Sequence, residues 1–197
     1  MVNIAVLVSG GGTDLQSLID AEKGGRLKGA RLALVVSSKA GVYALERAAA
    51  AGIEAVVIEK KGYEDEEAFA GALLAALEEA GIGLVVLAGY LCILPPRVVR
   101  AYPGRILNIH PALLPKHGGP GYYGLHVHEA VLAAGDCESG ATVHYVDEGV
   151  DSGEIILQES VPVLPGDTPE ALQARVLEVE HRILPEAVRM VVARGIP

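Results

Sequence analysis

Short β-branched runs alternate along the chain with longer alanine-rich stretches whose apolar residues recur at helical spacing. That alternation is the signature of strand–helix units on a parallel sheet covered on both faces. Strands are predicted near Ile4 to Val8, Arg31 to Ser37, Ala55 to Ile58, Leu84 to Leu87 and Ile106 to Asn108, with helices in the intervals. The clearest helix runs from about Glu64 to Glu79, with Phe69, Leu73, Leu74 and Leu77 on one stripe and Gly81 as its stop. From His110 to Gly124 both periods vanish in a long loop rich in proline and glycine, a length that compact domains usually reserve for function. A short helix near Val127 to Ala134 follows. Two further strands, Ala141 to Val146 and Ile155 to Val163, are joined by Asp147 to Glu154 and suit antiparallel addition to the sheet edge. Thr168, Pro169 and Glu170 open a last helix that continues to about Arg194.

The length of 197 residues, with 51% hydrophobic and 21% charged, suits one α/β domain with a sizeable core and excludes a disordered chain. Sixteen Lys and Arg against 25 Asp and Glu give a net charge of −9, the wrong sign for holding nucleic acid or an anionic membrane by bulk electrostatics. An anionic ligand must therefore be held locally. Cys92 and Cys137 belong to no CxxC or Cys/His metal spacing, which fits a reducing compartment. The apolar run Val2 to Val8 has no basic flank and ends in glycines, so it reads as a buried strand rather than a signal, and no apolar stretch is long enough to span a membrane. A cytoplasmic location is expected.

Four segments carry candidate chemistry. Ser9-Gly10-Gly11-Gly12-Thr13-Asp14-Leu15 lies between the first strand and the first helix, where glycines and a helix N-terminus suit a phosphate. It is not a dinucleotide turn, because Leu15 stands where GxGxxG needs a third Gly or Ala, and the second strand ends in Val36-Ser37-Ser38-Lys39 without a ribose-binding acid. No NAD is expected. Asn108-Ile109-His110-Pro111 ends the fifth strand, so Asn108 and His110 point to the same side beyond the carboxyl end of the sheet, and Pro111 favours an extended His110. The acidic loop from Asp147 to Gly153 supplies carboxylates, of which Asp151, if it reached His110, would orient the imidazole and favour its charged form. In His126-Val127-His128-Glu129 the histidines stand two apart and face different ways on a helix, so no metal site is expected. Lys116 and His117 are open to either solvent or an anionic ligand, and Glu180 on the last helix is by default a surface acid.

Taken together, SGGGTDLQ, GYLCIL, NIHPALLP and VDEGVDSGEII resemble the glycinamide ribonucleotide formyltransferases of purine biosynthesis over nearly the whole chain. The resemblance implies one Rossmann-like, mostly parallel sheet with helices on both faces and antiparallel strands toward the C-terminal half. It implies a single formyltransferase domain over 1–197, with ribonucleotide binding in about 1–105 and catalysis and folate binding in about 106–197. The implied reaction moves the formyl group of 10-formyltetrahydrofolate, a co-substrate, to the amine of glycinamide ribonucleotide, without metal or NAD, in a monomer or homodimer. Asn108, His110 and Asp151 match the family's catalytic trio. Gly11, Gly12, Thr13, Asp14 and Leu15 fall on its phosphate turn, and Gly89, Pro111 and Glu180 are implied in ribonucleotide binding. Tyr90, Leu91, Cys92, Ile93 and Leu94, with Val143, Asp147, Glu148, Val150, Asn108 and Asp151, are implied around the folate.

The chain departs from the family pattern in three places: Asp14 stands where Asn is common, the segment Gly118 to Tyr123 is long, and a basic residue in the region of Tyr63 to Glu67 is absent. Methionyl-tRNA formyltransferases and formyltetrahydrofolate hydrolases, the nearest alternatives, usually carry an added RNA-binding or regulatory domain, which is not expected here. An inert nucleotide-binding module is the alternative of a different class, and the joint presence of Asn108, His110 and Asp151 argues against it.

Overall fold

The computed structural model describes residues 1–196. Its sheet has seven strands in the order β3-β2-β1-β4-β5-β6-β7, formed by β1 (Val2–Val8), β2 (Ala30–Ser37), β3 (Glu54–Val57), β4 (Leu84–Leu87), β5 (Ile106–His110), β6 (Glu138–Tyr145) and β7 (Ile155–Pro162). Pairs among β1 to β5 are parallel, whereas β6 joins β5 and β7 joins β6 in antiparallel register. This is the doubly wound, mixed sheet that the sequence pattern predicts.

Strand alternation assigns the two cores. Ile4, Val6 and Val8 of β1 pack in one cluster with α1 (Thr13–Lys23) and α6 (Pro169–Arg194), through Leu15, Leu18, Val176 and Leu184. Ala5 and Leu7 of the same strand face the other cluster, under α3 (Glu66–Glu79) and α4 (Pro96–Ala101), through Phe69, Leu73, Leu77 and Val98. A strand buried on both faces cannot carry the polar alternation of an edge, which is why these runs read as continuous apolar stretches. The remaining helices are α2 (Tyr43–Ala51) and α5 (Leu125–Ala134).

Local chemistry sets the helix ends. The Asp65 carboxylate accepts the Ala68 amide at 2.7 Å and starts α3, while the Thr168 hydroxyl accepts the Ala171 amide at 3.2 Å ahead of Pro169 in α6. By contrast α1 is preceded by Gly12 and has no side-chain cap. Its first amides therefore lack a partner inside the helix and point out of its positive end.

Candidate active site

The chain order places two sites at the carboxyl edge of the sheet. The turn after β1 and the end of β5 are separated only by β4 and the segment that leaves it, close to the switch point where open α/β sheets bind ligands. Ser9 braces the first of them: its hydroxyl lies 2.6 Å from that of Ser38 and accepts the Leu91 amide at 2.8 Å, fixing the segment after β4 over the end of β1.

At the glycine turn, Gly10 and Gly11 face open space, but Gly12 does not. It sits at φ +71°, and a β-carbon there would meet the Ala44 β-carbon at 2.7 Å. Gly12→Ala is therefore expected to cost about 2 kcal/mol or more, from a left-handed residue and an overpacked α1–α2 contact. Denaturant unfolding checks this, and a loss below about 0.5 kcal/mol would contradict it.

Arg47, which the sequence reading passed over, completes this turn. Its guanidinium donates to the Gly11 carbonyl at 2.8 Å and to Gln16 Oε1 at 2.9 Å, and it stacks on Tyr43. It provides a cation beside the free amides, where the region from Tyr63 to Glu67 supplies none. Thr13, Gln16, Ser17, Arg47 and His181 border a cavity of about 380 Å³ whose lining includes neither His110 nor Asp151. Leu15 is fully buried, so only its backbone faces the turn.

Asp14 and Glu180 are both buried, which corrects the default reading of Glu180 as a surface acid. The helix face that carries Glu180 packs on α1, a tertiary contact that the period of α6 does not specify. Burial pushes the Asp14 carboxyl up to about 7. It raises that of Glu180 well above the carboxylate range, with the negative field of Asp14 adding to the effect. His181 Nε2 lies 3.9 Å from Asp14 Oδ1, and neither atom has a hydrogen-bond partner.

The second site gathers the trio. His110 Nδ1 stands 3.6 Å from Asp151 Oδ2, and the Asn108 amide nitrogen donates to Asp151 Oδ1 at 3.3 Å. The acidic loop delivers Asp151 in a left-handed conformation at φ +55°. The loop is braced by Asp147, whose Oδ1 accepts the Gly149 amide at 2.9 Å and the Ser152 hydroxyl at 2.7 Å. Glu148 is held by Arg100 through two bonds of 2.8 Å.

His144 belongs to the cluster as well. The β5–β6 register sets it opposite Asn108. Its Nδ1 donates to the Tyr145 carbonyl at 2.8 Å, so its Nε2 accepts from the Asn108 amide at 3.1 Å. Both amide hydrogens of Asn108 are thus engaged, one on His144 and one, at greater length, on Asp151.

The imidazole of His110 departs from the charged state that the sequence suggests. Burial lowers its proton affinity more than the facing Asp151 raises it, so its pKa falls below the ordinary histidine value. Its Nε2 donates to the His117 carbonyl at 2.8 Å. This shift favours the neutral ring, and in that form Nε2 keeps the hydrogen while Nδ1 faces Asp151. The Asp151 carboxyl is held below its usual range; burial, the largest influence, opposes this, and its contacts with the His144 and His110 rings and the Gly119 amide together outweigh it.

In the segment that leaves β4 and in the acidic loop, Leu91, Ile93 and Val150 expose apolar side chains, and Cys92 is half-buried. Gly89 is exposed at φ +68° and turns the chain out of β4, while Pro111 is half-buried directly after His110. The Tyr90 hydroxyl is buried without a partner, and burial raises its pKa. Leu94 and Val143 have their side chains in the core. Among the described residues, no group of three or more His, Cys, Asp or Glu is placed to hold a metal ion, and no helix is long and apolar enough to cross a membrane.

Fold and site define a doubly wound α/β protein with an imidazole, a carboxylate and a carboxamide at one strand end and a glycine-rich turn before an uncapped helix at another. The chain belongs to the formyl transferase family, whose model matches residues 2–188. It is 48% identical over 189 residues to the trifunctional purine biosynthetic protein adenosine-3 of Drosophila pseudoobscura pseudoobscura, spanning 95% of this chain but 13% of that much longer protein. It is 43% identical to the phosphoribosylglycinamide formyltransferase of Haemophilus influenzae, over 96% of this chain and 86% of that one. The crystal structure of glycinamide ribonucleotide transformylase 1 from Symbiobacterium toebii superposes with a TM-score of 0.92 at 46% identity, covering 99% of this chain and 89% of that chain.

Proposed function

We propose that this protein transfers the formyl group of 10-formyltetrahydrofolate to the amine of glycinamide ribonucleotide, giving formylglycinamide ribonucleotide for purine biosynthesis. The observation that carries this reading is the convergence of Asn108 and His110 on Asp151, at 3.3 and 3.6 Å, at the end of β5. We assign the whole chain to one formyltransferase domain, cytoplasmic and acting as a monomer or homodimer without metal or NAD.

The amine nitrogen bonds to the formyl carbon and the carbonyl oxygen becomes an oxyanion, which Asn108 meets by exchanging its long bond to Asp151 for one to the new charge. His110 Nδ1, bare and facing Asp151, takes the proton that the amine sheds, and the Asp151 carboxylate stabilises the imidazolium so formed. Collapse breaks the bond between the formyl carbon and the folate nitrogen, and the same proton passes to that nitrogen, directly or through a water. Amides of Gly11, Gly12, Thr13, Asp14 and Leu15, with Arg47, hold the phosphate, and Glu180 holds the ribose. Gly89 and Pro111 border the ribonucleotide, while the exposed apolar residues 91, 93 and 150, with Tyr90, Cys92 and the acidic loop, receive the folate.

Consumption of formyl-folate by the purified protein is expected to depend on added glycinamide ribonucleotide and to yield one formylated product per folate released. Release of formate without the ribonucleotide, or calorimetric binding of the ribonucleotide with no transfer, overturns the assignment.

A further inference from the structure

The cavity beside the glycine turn reaches further than one phosphate requires. Thr13, Gln16 and Asp20 recur at helical spacing and line it along one stripe of α1, a run of about 10 Å at about 1.5 Å per residue. A phosphate on the amides at the head of α1 occupies only the Thr13 end. Arg26 lines the same cavity from the turn after α1, and Arg47 lines it from α2. Among the described residues neither guanidinium has a carboxylate within ion-pair distance, whereas Arg97, Arg100, Arg175, Arg182 and Arg189 each hold one. Two unmatched cations in one cavity stand out in a chain of net charge −9. Arg26 also lies in a run from Lys23 to Arg31 that holds four bases and no acid. Arg47 uses Nε on the Gly11 carbonyl and Nη1 on Gln16 Oε1, which leaves Nη2 without a protein acceptor. Gln16 in turn donates to Asp20 Oδ1 at 2.9 Å, so the one acid on the lining is already engaged. His181 lines the cavity as well, with its Nε2 buried and without a hydrogen-bond partner.

We propose that this cavity is a diphosphate subsite: an anion with two linked phosphoryl groups sets the first on the α1 turn and the second against Arg26 and the free edge of Arg47. This rests on the reading of the turn as the phosphate site. A terminal phosphoryl group brings several oxygens and up to two charges to guanidinium forks that present paired N–H donors, whereas a neutral occupant leaves both cations unmatched. The monophosphate of the substrate stops short of Arg26. That residue therefore serves ligands that carry a diphosphate on ribose, and these compete with the substrate for the shared turn.

Inorganic phosphate and inorganic diphosphate in metal-free buffer are the probes, titrated by calorimetry and used as inhibitors of formyl transfer. In the parent, diphosphate is expected to bind at least about tenfold more tightly than phosphate, the scale of one added hydrogen bond between charged groups, and to compete with the ribonucleotide. Arg26 is exposed, so its truncation keeps the fold. Arg26→Ala is expected to bring diphosphate within about twofold of phosphate, while kcat and KM for the ribonucleotide stay within about twofold of the parent. Arg189→Ala, which removes the same charge outside the cavity, is expected to keep the preference. Equal affinities for the two anions in the parent overturn the proposal, as does a preference that survives Arg26→Ala, one that disappears in Arg189→Ala, or inhibition that the ribonucleotide does not relieve. A diphosphate preference lost with Arg26 in a protein that transfers no formyl group supports this inference and overturns the functional reading instead.

Discussion

His110→Ala and Asp151→Asn are each expected to lower formyl transfer by at least about a hundredfold while the fold is kept. Loss of one group that meets charge developed only in the transition state typically costs about 2.7 to 4 kcal/mol, or about a hundred- to a thousandfold in rate. The two variants separate by their pH dependence. Since burial lowers the His110 pKa below its ordinary value, a reaction that needs the neutral ring rises with pH through that lowered value and is flat above it. Asp151 is the largest influence opposing that lowering, so Asp151→Asn is expected to move the rise to still lower pH while reducing the plateau. Steady-state kcat against pH for the parent and both variants checks this. A rate that falls as pH rises from 6 to 8 would return His110 to the role of charged donor, and near-normal turnover of either purified variant would remove it from the chemistry.

The sequence foreshadows this site unevenly, for physical reasons. Strand alternation puts Asn108 and His110 on one side of the β5 end, whereas Asp151 is joined to them only through the family resemblance, because a turn does not specify how far its loop reaches. His144 is not legible, because only the β5–β6 register sets it opposite Asn108, and register follows from the whole sheet. The His117 carbonyl leaves no trace in residue identity, since every residue carries one, although a histidine before two glycines gives a weak signal of an unusual turn. Among the elements, β6 begins at Glu138, and the sequence pattern starts it only at Ala141 because Gly140 and its polar neighbours lack the apolar, β-branched signal of a strand. Gly140 is there because a β-carbon would strike the Glu159 carbonyl on β7. Helix α4, from Pro96 to Ala101, is too short for its period to show. Long elements with two buried faces were written plainly in the apolar pattern. What the pattern lacks is the information that resides in contacts between elements.

The buried acids behind the phosphate turn carry the other large expectation. Asp14→Asn is expected to stabilise the protein more at pH 8 than at pH 5, with the advantage growing by about 2–3 kcal/mol between them. The direction follows from the sign of the shift: an ordinary Asp has a value of 3.8, and burial raises it to about 7 in the fold. The folded state therefore binds its proton more tightly than the unfolded chain. Stability from this group is fully present below the unfolded value and is lost as pH rises through about 7. Glu180 shifts the same way, so ionising both places two like charges in one dry site with no partner on Asp14 Oδ1. Denaturant unfolding of both proteins at the two pH values measures the difference, and a constant or reversed difference would show that Asp14 ionises as freely in the fold as in water. The same proton bears on function. Below about pH 7 the carboxyl is mostly neutral, which removes the repulsion that an acid beside a phosphate would otherwise impose. KM for the ribonucleotide is thus expected to climb above about pH 7 in the parent and to stay level in Asp14→Asn, with the amides of the turn and Arg47 unchanged.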